Sequence, residues 1–254
     1  NETQMELDKE LDAAGAMLEY AFDFMEYAFG NTQEMTAFVT ELNANFYSIQ
    51  FLQNYDVIDV DKSGEKVLYL TFDCGYEYEN LTSKVLDVLR EKGVTATFFC
   101  TLDHIKKETD LIARMIKEGH IVGNHSTTHP SFATINRSKM AREIEETENY
   151  LRENFGYAAK YFRFPAGEYN ESALELISSL GYSSVFWSVA YDDWDTSKVR
   201  GKDYAVEKVM SRLHPGAVIL LHSVSKDNAE ALEEIIDKAR AEGYTFRSIA
   251  DYKF

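Results

Sequence analysis

His125 and His129 stand four residues apart in the run Gly123-Asn124-His125-Ser126-Thr127-Thr128-His129-Pro130. Residues at that spacing on one helical turn point the same way, which lets two imidazoles hold one divalent ion. Two loop histidines that only cap or solvate a turn share the spacing, and the motif by itself leaves both readings open. The flanking Gly, Asn, Thr and Pro predict a fixed turn. The positions of the other reactive side chains say more. Asp73 and Cys74 directly follow the apolar run Val67 to Phe72. Arg163 sits in Tyr161 to Phe164, Asp192 and Asp193 come shortly after Ser183 to Ser188, and His222 closes Ala217 to Leu221. Carboxylates, imidazoles and a guanidinium gathered in one place can activate water, carry its proton and stabilise a developing anion. His104, His120 and His214 read as ordinary histidines.

The runs that carry these residues are short and apolar, and they alternate with longer amphipathic stretches. Strands are predicted at Val67 to Phe72, Ala96 to Cys100, from Ile121, Tyr161 to Phe164, Ser183 to Ser188, Ala217 to Leu221 and Thr245 to Ser248. Helical spacing separates them: Val85 to Leu89, Leu111 to Ile116 ending at Gly119, Met140 to Phe155, Leu174 to Leu180 stopped by Gly181, Ala205 to Leu213, and Ala229 to Ala241. Repeated strand-helix units imply parallel strands with right-handed crossovers. About seven of them approach the number that closes a ring, so the fold class expected is α/β, a distorted (β/α) barrel. In such a barrel the C-terminal strand ends converge on one face, where active sites are built. Asp, His and Arg at five strand ends therefore form a constellation rather than scattered polar residues.

Residues 1–60 read differently. Leu7, Leu11, Leu18, Phe22, Met25 and Phe29 keep helical spacing, Gly30-Asn31 stops that run, and Met35, Phe38, Leu42, Phe46 and Ile49 continue a second. The division expected is an N-terminal helical region, 1–60, and a catalytic domain, 61–254. Two helices this apolar must pack on something.

The chain has 254 residues and a formal net charge of −17. That balance argues against binding a phosphate backbone, which needs clustered Lys and Arg, and against a basic patch for anionic lipid. No apolar run is long enough to span a membrane. Two cysteines, Cys74 and Cys100, make no disulfide framework and no CxxC pair.

The segments Thr71-Phe72-Asp73-Cys74-Gly75, His125 to His129, Arg163-Phe164-Pro165-Ala166-Gly167, Asp193-Trp194 and Leu220-Leu221-His222 resemble, in order and spacing, the motifs of the polysaccharide deacetylases, the NodB-homology carbohydrate esterases. The resemblance covers roughly residues 64 to 254. A narrower likeness, to PdaA-type enzymes that deacetylate muramic acid during spore cortex synthesis, rests on Thr71 to Tyr78, Phe186 to Ala190 and Leu221 to Leu232. The family likeness implies that His125 and His129 bind a divalent metal, most simply Zn2+, which acidifies water and polarises a carbonyl. It implies Asp73 as general base, Arg163 as its ion partner, and His222 as general acid with Asp193 raising its pKa. The backbone N–H of Ala166 would donate to the oxyanion, Trp194 and Leu220 would wall the acetyl pocket, and Tyr76 would touch the sugar.

One position departs from the family pattern. A second aspartate usually follows the first as a metal ligand, and this chain has Cys74 there. Either the Cys74 thiolate joins the metal, or two histidines hold it with water and Cys74 stays nearby. A Cys74–Cys100 disulfide is a further option, since both lie at ends of neighbouring strands. Ala190 stands where relatives often carry another aspartate, and Asp192 reads as a bystander.

The resemblance thus implies an N-acetylmuramic acid deacetylase acting on a peptidoglycan strand, a step toward muramic δ-lactam. It implies an exported, monomeric protein in the cell wall or the space around the forespore, with the signal or anchor segment absent from this chain. Deacetylation of another glycan (peptidoglycan N-acetylglucosamine or chitin) and an inactive glycan-binding module are the alternatives.

Overall fold

A computed structural model describes residues 55–252. The helices expected between Met5 and Phe51 lie outside the described residues. Tyr55–Phe254 forms one compact unit. Its strands are β1 (Val57–Ile58), β2 (Val67–Cys74), β3 (Thr97–Cys100), β4 (Ile121–Asn124), β5 (Tyr161–Phe162), β6 (Ser183–Val185), β7 (Ala217–His222) and β8 (Thr245–Arg247). Its helices are α1 (Leu81–Lys92), α2 (Leu102–Lys107), α3 (Thr109–Lys117), α4 (Arg137–Phe155), α5 (Glu171–Ser179), α6 (Lys202–Met210) and α7 (Lys226–Ala241).

Seven strands pair in the order β1-β6-β5-β4-β3-β2-β7, all parallel, and β8 pairs with the N-terminal half of β2. The ring then closes irregularly. β7 is bridged both by Val60, just past β1, and by Val189, just past β6. This is the distorted (β/α) barrel. Two details differ from the sequence reading. The strand expected at 245–248 lies off the main path, and its place in the ring is taken by β1, a pair of residues too short to show any periodicity. Because β1 pairs with β6, residues 57 and 58 belong to the sheet.

The pleat of β2 sets everything that follows. Successive strand side chains alternate between faces. Val67, Tyr69, Phe99, Val185 and Val218 pack together with Ile58 and Ile249 inside the barrel. Asp73, in step with Val67 and Tyr69, belongs to that inner face, at the C-terminal end. Phe72 shares the other face, where it stacks on Phe98 with ring centroids 5.1 Å apart. Cys74, two residues on, falls on this helix-covered side as well.

Candidate active site

A cavity of about 370 Å³ opens at the C-terminal ends of the strands, lined by Asp73, Tyr76, His125, His129, Trp194 and His222 together with Gly75, Thr101, Asp103, Thr127, Thr128 and Val224. Six of the residues singled out from the sequence therefore share one cleft. Trp194 and Tyr76 are among the most exposed large side chains, at 58% and 47%. They form an aromatic rim of the kind that suits the faces of sugar rings.

Asp73 is held from behind. Arg163, wholly buried, donates from Nη1 to Asp73 Oδ1 at 2.9 Å, from Nε to the Val185 carbonyl at 3.0 Å, and from Nη2 to the Phe186 carbonyl at 3.1 Å. Its guanidinium lies 4.2 Å from the centre of the Phe99 ring. Phe99 in turn fits only because β4 has Gly123 opposite: a Cβ there would sit 2.4 Å from the ring. Burial pushes the Asp73 carboxyl up, but the charge of Arg163, with that of His222 and the hydrogen bond from Arg163, outweighs it and holds the group below the usual carboxylate range. The result is a largely buried carboxylate that stays ionised.

The two histidines are not on a helical turn. The 125–129 segment is irregular, with Ser126 and His129 in the left-handed region at φ 67° and 57°. Strain of this sort persists where surroundings over-determine it. The main anchor is Glu143 of α4, which accepts from the N–H groups of Thr127 (3.0 Å) and Thr128 (2.7 Å) and from the Thr128 hydroxyl (2.7 Å). Asn124 Oδ1 accepts from Ser126 N–H, and Ser126 Oγ from His129 N–H. The turn brings the His125 and His129 ring centres to 4.8 Å.

These residues fit a cation. His125 Nδ1 lies 2.8 Å from the Arg163 carbonyl oxygen, which can only accept, so this nitrogen carries the proton. Burial pulls the His125 pKa down to about 4 and keeps the ring neutral. The Nε2 lone pair then faces Asp73 Oδ2 across 3.5 Å. An unprotonated Nε2 beside a second imidazole is suited to hold a positive charge, with the Asp73 carboxylate close by.

His222 occupies the opposite wall. Its Nδ1 donates to Asp193 Oδ1 at 2.7 Å, and its backbone N–H donates to Oδ2 at 2.8 Å. Asn228 Nδ2, in the first turn of α7 behind the Ser225 cap, donates to the same Oδ2. Burial lowers the His222 pKa, but the hydrogen bond and charge of Asp193, with the charge of Asp73, reverse that and raise it above 6.5.

Ala166, Leu220 and Cys74 do not line the cleft. Ala166 lies in a left-handed turn (φ 53°) at the end of β5, and Leu220 is buried in β7. The Cys74 side chain sits with Cys100 and His104, on the helix side of the sheet. Both cysteines are free thiols. Asp192 pairs with Arg200 at the surface. Sequence reasoning missed Glu143 and Asn228. A glutamate among the many of α4 and an amide after a helix cap carry no signal until the fold brings them to the site.

Residues 61–185 match the polysaccharide deacetylase family. The chain belongs to that family, the family 4 carbohydrate esterases. It is similar to the peptidoglycan-N-acetylmuramic acid deacetylase PdaA of Bacillus subtilis, with 43% identity over 204 residues, 80% of this chain and 77% of that one. The solved structure of that PdaA matches with a TM-score of 0.78 over 81% of this chain and 88% of that one. A peptidoglycan-N-acetylglucosamine deacetylase of Bacillus cereus is 35% identical over 181 residues, 70% of this chain and 64% of that one.

Proposed function

We propose that this chain removes the acetyl group from N-acetylmuramic acid in peptidoglycan, outside the membrane, as a step toward muramic δ-lactam in spore cortex. The observation that carries the chemistry is the pairing of opposites across one cleft: a carboxylate kept ionised by Arg163 and an imidazole whose protonated form is favoured by Asp193. The choice of sugar is supported by the 43% identity to a muramic acid deacetylase.

His125 and His129 would hold a divalent cation, most simply Zn2+, whose role when bound is to acidify water and polarise the acetamide carbonyl. Asp73 takes the proton of the attacking water. Arg163 fixes the carboxylate so that one oxygen, Oδ2, remains turned toward the cleft. His222, protonated, gives its proton to the amide nitrogen as the C–N bond breaks, and Asp193 balances its charge. The products are acetate and a free amine on the sugar. Trp194 and Tyr76 grip the glycan, and the Ala166 N–H, in the left-handed turn after β5, is assigned as oxyanion donor.

The test is acetate release from defined oligosaccharides, with and without chelator. Turnover confined to peptide-free strands containing N-acetylmuramic acid supports the reading. Preference for N-acetylglucosamine oligomers replaces the substrate, and no acetate under any metal condition leaves a glycan-binding module.

A further inference from the structure

We propose that Cys74, Cys100 and His104 form a second metal site, buried on the helix side of the sheet and separate from the cleft, that takes a thiophilic cation, with Zn2+ favoured. Cys74 and Cys100 are direct partners on β2 and β3. His104 is carried by α2, whose cap Thr101 immediately follows Cys100. One donor atom from each of the three lies within 4.8 Å of the others, and all three residues have no exposed surface.

The histidine is the telling member. Both its ring nitrogens are buried with no hydrogen-bond partner. A neutral imidazole has one N–H and one lone pair, and leaving a buried polar group unsatisfied costs on the order of 1–3 kcal/mol. An apolar residue would fill this space without that cost. Burial lowers the His104 pKa to about 4, so the ring offers a lone pair at neutral pH. A cation satisfies it.

The donor set selects the ion. Thiolate sulfur favours Zn2+ or Cu+ over the hard cations Mg2+ and Ca2+. Burial pushes the Cys100 thiol up, so without metal it stays protonated, making a weak contact to the Phe98 carbonyl at 3.7 Å. On loading, each thiol loses its proton to solvent as its sulfur–metal bond forms, two protons per ion. Two thiolates and one Zn2+ then sum to zero charge, which suits an interior where net charge is costly. Tetrahedral zinc with bonds of about 2.0–2.3 Å sets its donors roughly 3.5–3.8 Å apart, so the cluster closes by about 1 Å at its widest. The ion ties the ends of β2 and β3 to α2 directly behind Asp73.

The experiment uses the full chain with His125→Ala and His129→Ala, which removes the cleft ligands. Refolded with Zn2+ and gel-filtered, it is expected to retain one ion per chain. Refolded with Co2+, it is expected to show thiolate-to-cobalt charge-transfer absorption in the near ultraviolet. Adding His104→Leu, which keeps the apolar packing, should abolish both while circular dichroism stays unchanged; Cys100→Ala serves as the second variant. The unsubstituted protein should show the same absorption. A metal-free background protein, cobalt without thiolate absorption, or a Cys74–Cys100 disulfide found by mass after alkylation overturns the proposal.

Discussion

Arg163 Nη1 stands 2.9 Å from Asp73 Oδ1, and because the guanidinium has no exposed surface it depends on that carboxylate for its counter-charge. The pair is therefore a structural and a chemical device at once. Removing one partner of a buried ion pair costs about 3–5 kcal/mol, since the other is left charged and unpaired. Arg163→Met is expected to lower stability by that order, read by urea unfolding. Burial then acts on Asp73 unopposed by its nearest cation, so its pKa rises and the acid limb of the rate profile moves to higher pH. Arg163→Lys should not rescue either property. Three acceptors fan out around the guanidinium, and one ammonium cannot reach them all.

Asp73→Asn keeps the shape and one acceptor oxygen for Arg163 but not the charge or the basicity. General base removal typically costs about 10²–10⁴-fold in rate. That loss is expected in kcat, with circular dichroism and bound metal unchanged. A near-native rate would remove Asp73 from the base role.

With His222 as the general acid, the alkaline limb of the rate profile is expected to follow its pKa. Its folded pKa lies above 6.5, so the protonated acid persists past that value and is lost only as pH rises through the raised one. The His222–Asp193 contribution to stability has the same sign: present in full below the unfolded value, lost on the way up. Asp193→Asn removes the charge and weakens the hydrogen bond, leaving burial as the dominant influence. The limb of kcat against pH should then move to lower pH, and the rate at neutral pH should fall. An unmoved limb would assign the acid role elsewhere.

Much of this was legible in the sequence because strand runs and the residues that end them are local signals. Asp73, Arg163 and His222 could be placed at the mouth from the apolar runs they close, and Gly119 and Gly181 marked helix ends. The failures have physical causes too. His125 and His129 suggested a helical turn, but the left-handed Ser126 and His129 bring them together instead. Cys74 was weighed as a cleft ligand, and the period of two along β2 puts it on the face opposite Asp73. His104 looked ordinary because nothing near it in sequence reveals that the fold strands both its nitrogens among thiols. Leu220 and Ala166 were expected at the cleft from motif position alone; where their side chain or N–H points depends on a barrel closure and a turn that no local pattern encodes.

Glu143 holds the turn between His125 and His129 without contacting either imidazole. It accepts three hydrogen bonds from Thr127 and Thr128, two of the three residues between the histidines, and lies buried as it does so. Positioning groups behind metal ligands typically contribute about 10–100-fold in metal affinity. Glu143→Gln keeps one acceptor oxygen and replaces the other by a donor facing N–H or O–H groups, so the strained turn loses part of its anchor. Affinity of the cleft for Zn2+, measured by competition with a coloured chelator, is expected to fall by about 10–100-fold. Excess Zn2+ should restore most of kcat, because Asp73 and His222 are untouched. If saturating metal restores nothing, Glu143 acts on the reaction itself or on the fold; if affinity is unchanged, the turn holds its histidines without it.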